Sequence, residues 1–177
     1  MYLKSVAVVL GFVCLSVLAK AGDEPQQVIL TEEVPASFGK VWDAIKTCMD
    51  ALGCAKPQVE KITEPAEEGG FYTGVYVSDF CVIAKGEDTT KKYMEQFGEI
   101  PRIRGGIWIT GRIQYKINVK ETGVRETKII LRAELSGFEE FITNHVYFWT
   151  SNGILEHRMM DAILAKVKQE VDEIKEN

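Results

Sequence analysis

Two alternating stretches, close together in the chain, constrain the fold more than any other feature. In residues 103–120, Ile107, Ile109, Ile113, Tyr115, Ile117 and Val119 share one parity. Trp108, Thr110, Arg112, Gln114, Lys116, Asn118 and Lys120 share the other. From Thr127 the pattern returns, with Ile129, Leu131, Ala133 and Leu135 set against Lys128, Arg132 and Glu134. A period of two marks a strand with one buried and one wet face. Two such strands joined across Glu121-Thr122-Gly123 read as a β-hairpin. Centring the turn near Thr122 puts Tyr115 opposite Ile129 and Ile113 opposite Leu131. A one-residue slip would turn the wrong face inward. Gly105, Gly106 and Gly111 read as bends or bulges in the first strand. The isolated Arg-Gly-Gly at 104–106 is therefore a backbone feature and not an RNA-binding tail.

The one-sided faces of this hairpin need a cover. Ile154, Leu155, Met159, Met160, Ile163, Leu164, Val167, Val171 and Ile174 recur at helical spacing and predict a long amphipathic C-terminal helix, with Ser151 or Asn152 as its N-cap. Phe38, Val41, Trp42, Ile45, Cys48, Met49 and Leu52 predict a first helix over 37–52, capped by Ser37 and closed by Gly53. Shorter strands are expected over 26–34, 57–63, 71–79, 80–85 and within 138–150. A short helix is expected over 89–97, with Asp88 as its cap. The expected class is α+β: a curved antiparallel sheet gripping the C-terminal helix, with the N-terminal helix after the first strand on the same concave face.

The start of the chain has a short positive segment at Lys4, an apolar run over 6–18 and an Ala19-Lys20-Ala21 cleavage signal. The run is shorter than the ~20 residues that span a bilayer. Residues 1–21 are expected to be a signal peptide and 22–177 a single exported domain, periplasmic or secreted. The leader contains Lys4 and Lys20 and no acid, so its removal takes the formal charge from −5 to −7. An acidic domain suits neither nucleic acid nor an anionic membrane surface, and no later run is long enough to span a membrane. Of Cys48, Cys54 and Cys81, the pairing Cys54–Cys81 is favoured. The competitors are Cys48–Cys54 and three reduced thiols. Their spacing lacks a metal clasp, and no cofactor motif is present.

The entry VPASFGKVWDAI and the closing long helix after an antiparallel sheet resemble the helix-grip superfamily, which includes START, Bet v 1-like and polyketide-cyclase-like domains. Among exported proteins the pattern is similar to the helix-grip domains of BamC-type envelope lipoproteins, although Cys14 fits a lipid-attachment signal poorly. The resemblance implies a sheet gripping a long helix, often over a cavity for apolar molecules, and supplies no catalytic motif.

On this reading the cavity lining is expected to include Ile113, Tyr115, Ile117, Leu131, His145, Met160 and Leu164, with Arg102 and Arg104 on one strand face as candidates for an anionic headgroup. The plain alternatives are core packing for the apolar residues, a satisfied strand histidine for His145, and a charged outer face for the arginines. Other aromatics (Phe71, Phe138, Phe141, Phe148, Trp149) and Met159 are candidates for core or pocket. Three functions compete: a non-enzymatic binder of a lipid-like molecule, an envelope protein-interaction module, and a cyclase- or hydrolase-like enzyme needing a polar cluster around His145.

Overall fold

The computed structural model describes residues 27–54 and 56–173. The expected leader at 1–21 and Ile174 lie outside the described residues. The elements are β1 (Ile29–Val34), α1 (Phe38–Ala51), β2 (Val59–Thr63), β3 (Thr73–Val77), β4 (Cys81–Lys85), α2 (Glu87–Met94), β5 (Trp108–Gly123), β6 (Glu126–Glu139), β7 (His145–Thr150) and α3 (Ile154–Glu173). They form an α+β structure with one open, seven-stranded antiparallel sheet.

The long hairpin β5–β6 is the spine of this sheet. Each of its strands carries two short neighbours. β3 pairs with 116–120 of β5 and β4 with 110–113. β1 pairs with 127–132 of β6 and β7 with 134–139. β2 adds an edge beyond β3. The sheet is thus five strands wide at one end and four at the other. Between them lies a seam at the cross-strand pair Tyr115–Ala133, where only the hairpin runs through.

Polar groups close the seam. Ser78 N–H donates to the Tyr115 carbonyl, and Ser78 Oγ accepts the Tyr115 N–H, both at 2.9 Å. Gln114 Nε2 donates to the Ser78 carbonyl at 3.0 Å. Across the hairpin, Gln27 Nε2 donates to the Ala133 carbonyl at 3.3 Å. Backbone groups that lose a neighbouring strand inside a protein need such partners.

The hairpin register differs from the expectation. Tyr115 faces Ala133 and Ile113 faces Leu135. The turn is two residues further on, at Val124-Arg125, and β5 continues through a bulge between Glu121 and Gly123. Moving a turn centre by two residues moves each partner by four, and an even shift keeps the same faces buried. Alternation fixes the face but not that offset. The first strand also begins later, at Trp108. Residues 103–106 form a turn, closed by Gly106 N–H to the Ile103 carbonyl at 3.1 Å, in which Gly105 has φ 76°. A second bulge between Trp108 and Thr110 reverses the parity, so Trp108 is buried and Ile107 exposed.

α1 and α3 pack on each other, and both pack on the sheet. Val41, Trp42, Ile45 and Met49 of α1 and Met159, Met160, Ile163 and Val167 of α3 are buried with Ile113, Ile117, Val119, Ile129, Leu131 and Leu135 of the hairpin. Trp42 lies over Gly74 so closely that a β-carbon there would collide with the indole. α2 covers the other end, with Met94 over Gly111 in the same manner. Gly111 is therefore a packing slot. Gly86, at φ 118°, occupies the N-cap of α2, three residues before the expected start. α3 begins after Asn152 Oδ1 accepts the Ile154 N–H at 3.2 Å.

Candidate functional site

Where the C-terminal half of α1, Tyr93 of α2 and the start of α3 meet above the seam, packing leaves a cavity of about 360 Å³. That volume is within the usual range for small-molecule sites. Its floor is Cys81, Ile83, Ile113 and Tyr115 from the sheet. Its walls are Cys48 and Ala51 of α1 with Leu52 at its C-cap, and Leu155, Met159 and Ala162 of α3. The cause is geometric: α1 sits on the five-stranded end and α2 on the four-stranded end, and neither fills the ground between. Cys54 and Cys81 form a disulfide that ties the chain just after α1 to the first residue of β4. This is the favoured pairing, and it fixes one side of the cavity.

Polar chemistry enters at three points. Tyr115 is 4 % exposed. Burial, reinforced by the charge of Glu156 and opposed by that of Arg158, raises the pKa of its phenol, so the group stays a protonated donor and acceptor at neutral pH. Tyr93 contributes a second ring and packs edge-on to Phe97, with centroids 5.0 Å apart. Arg158 also lines the cavity, is exposed, and holds its guanidinium 5.6 Å from the Phe97 ring centroid.

Behind this cluster is a buried acid. Glu156 is inaccessible to solvent, and Ser151 Oγ donates to its Oε2 at 2.7 Å while Oε1 has no hydrogen-bond partner. Burial raises its pKa, against the Ser151 hydroxyl, nearby backbone groups and the His157 charge. Glu139 shows the opposite balance. Its side chain is also inaccessible, and burial opposes ionisation, but its carboxylate accepts the backbone N–H groups of Ile107, Phe141, Ile142 and Thr143 and the Thr143 hydroxyl. Those donors lower its pKa to about 2. Glu139 orders the β6–β7 loop and does not line the cavity.

Of the expected lining residues, Ile113 and Tyr115 meet at the cavity floor. Ile117, Leu131 and Met160 are buried in the core, and Leu164 packs against it. None of these four lines the cavity. His145 is exposed at the start of β7, its ring 5.9 Å from that of Tyr147. His157 is exposed, with Nδ1 2.8 Å from the Gly153 carbonyl. Neither histidine lines the cavity. Arg102 and Arg104 are exposed in the loop before β5 rather than on a strand, and Arg102 flanks a separate cleft with Glu99 and Ile100. Phe71, Phe141 and Phe148 are exposed, whereas Trp149 is buried.

Sequence reasoning missed Arg158, Leu155, Ala162 and Ile83. The helical signal was present: Leu155, Met159 and Ala162 are spaced by four and three, with Arg158 beside them on the same flank. Among the described residues there is no cluster of three or more His, Cys, Asp or Glu able to hold a metal, and no helix long and apolar enough to cross a membrane. No family model matches the sequence, and a search of curated proteins finds no match.

Proposed function

We propose that this chain is an exported, non-enzymatic helix-grip protein that binds a small apolar or amphipathic molecule between α1, α3 and the β4–β5 floor. The observation that carries this reading is the cavity itself: about 360 Å³, walled mainly by aliphatic, aromatic and sulfur-bearing side chains. Burying the apolar part of a ligand there yields ~25 cal/mol per Å² removed from water. Arg158, the one charged group on the cavity among the described residues, suits an acidic head, while Tyr115 and Tyr93 offer hydroxyls. The order of elements and the packing of both long helices on the sheet support the helix-grip reading. The Cys54–Cys81 disulfide supports export to an oxidising compartment.

Native mass spectrometry and displacement of a polarity-sensitive fluorescent fatty-acid analogue test the proposal. The wild-type protein is expected to bind the probe saturably at one site. Ala162→Trp, which places an indole in the cavity from its outer wall, is expected to abolish binding without loss of fold. Equal binding by wild type and Ala162→Trp, or none by either, would overturn it.

A further inference from the structure

The face of the sheet turned away from α1 and α3 differs between its two ends. Alternation puts Lys116 and Lys128 on that outer face. There the charges are matched: Lys116 pairs with Glu134 at 3.0 Å and Lys128 with Glu33 at 3.5 Å. At the four-stranded end the outer face is largely apolar. One cross-strand row is Val82, Arg112, Ser136 and Phe148, and the next is Lys85, Thr110, Phe138 and Val146. α2 covers the opposite side, where Met94 packs over Gly111. Val82 and Phe148 are more than half exposed, and Val146 is exposed as well.

β4 and β7 flank the hairpin on opposite sides at this end, yet the rings of Phe80, just before β4, and Phe148, in β7, meet edge-on with centroids 5.9 Å apart. The two rings therefore meet above β5 and β6, and Ser136 on that ground is 1 % exposed. Arg112 shares it. Its Nε is buried without a hydrogen-bond partner, and so is the Oγ1 of Thr110, its neighbour on the same strand face. Among the described residues, neither Arg112 nor Lys85 takes part in an ion pair. Glu134, the acid two residues before Ser136, is engaged by Lys116. Buried polar atoms without partners and an unanswered guanidinium are unfavourable for the chain on its own. An arginine among aromatic side chains is also the composition found at the energetic centre of protein interfaces.

We infer that the outer face of the four-stranded end docks a segment of another protein that sets one Asp or Glu carboxylate on Arg112 and apolar side chains on Val82, Val146 and Phe148. The carboxylate is the bidentate partner that a guanidinium fits best. A second copy of this chain using the same face is a poorer occupant. A two-fold interface repeats one patch against itself, and with Glu134 engaged it would set Arg112 against Arg112. The inference is independent of the apolar-ligand reading, because the cavity opens on the opposite face of the sheet and none of these residues lines it.

Selection from a phage-displayed library of random peptides against the full chain tests it, followed by affinity measurement and amide-resolved NMR with the enriched peptides. Those peptides are expected to share one Asp or Glu between apolar residues, and to shift amides of β4, β7 and the facing parts of β5 and β6. Arg112→Gln is expected to weaken them about tenfold or more, the size of one lost charge-assisted bond. Phe148→Ser, at an exposed position that leaves the fold intact, is expected to weaken them as well, so the result does not hang on how well Arg112→Gln folds. Ala162→Trp, which fills the cavity on the other face, is expected to leave their affinity unchanged. No enrichment, enriched peptides without an acid, unchanged affinity in Phe148→Ser, loss of affinity in Ala162→Trp, or self-association of the chain that Phe148→Ser abolishes would each overturn the inference.

Discussion

Tyr115 and Ala133 are paired directly across the β5–β6 hairpin, and the short strands on both sides of that hairpin stop at this pair. The Ser78 hydroxyl, fully buried, substitutes for the missing strand at Tyr115. Ser78→Ala therefore leaves the Tyr115 N–H buried without its acceptor. An unsatisfied buried donor costs about 1–3 kcal/mol. The expected outcome is a lower denaturation midpoint of that size, with faster hydrogen exchange at the Tyr115 amide. Unchanged exchange at that amide would show that the hydroxyl is dispensable.

Glu139 makes stability depend on acid. Its folded pKa of about 2 lies below the usual 4.5, so its contribution is complete above pH 4.5 and disappears as the pH falls through 2. Glu139→Gln is expected to lower the melting temperature at pH 7. The gap to wild type should close between about pH 4.5 and 2. Thermal scans across that window check the sign, and a gap independent of pH would contradict the assignment.

Glu156 has the opposite sign. Its pKa is raised in the folded state, so its contribution is fully present below the unfolded value of 4.5 and is lost as the pH rises through its folded value. Glu156→Gln retains an acceptor for the Ser151 hydroxyl and does not ionise. Relative to wild type, this variant is expected to gain stability from pH 4 to pH 8. The same thermal scans read it, and a relative loss over that range would refute the buried-acid description.

Reducing the Cys54–Cys81 bridge releases a loop with a sequence separation of 27. Loop-closure entropy sets the effect at about 3.5 kcal/mol. Urea unfolding with and without a reductant is expected to show that loss. The double variant Cys54→Ser/Cys81→Ser is expected to match the reduced protein and to be insensitive to reductant.

Among the described residues, Arg158 is the only charged group lining the cavity. Under the proposed function, Arg158→Ala should weaken a carboxylate-headed probe by about tenfold, in line with ~1.5 kcal/mol for a charge-assisted bond. A neutral alcohol of the same chain length should bind almost unchanged. Equal losses for both probes would show that the guanidinium acts through packing.

The spine of the fold was legible because alternation is long and unambiguous between Ile113 and Val119 and between Ile129 and Leu135. So were α1 and α3, whose apolar stripes span several turns. The turn position was not, because Glu121, Thr122 and Gly123 look like a loop but extend β5 through a bulge. Trp108 was assigned to the wet face because a single bulge reversed its parity. The cavity was legible only in part. Ile113 and Tyr115 lie on a predicted apolar face, but whether such a residue meets another side chain or empty space depends on where three helices stop. Met160 and Met159 are neighbours in sequence and look alike as candidates, yet only Met159 reaches the opening. The pairing of Cys54 with Cys81 was favoured because both lie at the ends of elements, where a side chain is free to turn towards a partner.

The seam gives the sheet two panels and one crease. Bending about that crease strains the β5–β6 pair and the few Ser78, Gln114 and Gln27 bonds that close the seam, whereas bending anywhere else strains four or five strands at once. The cavity lies over the crease, with the disulfide anchored at one lip. The softest deformation of the sheet is therefore one that changes the depth of the space above Tyr115; under the proposed function, fold angle as well as side-chain volume would set the size of the ligand.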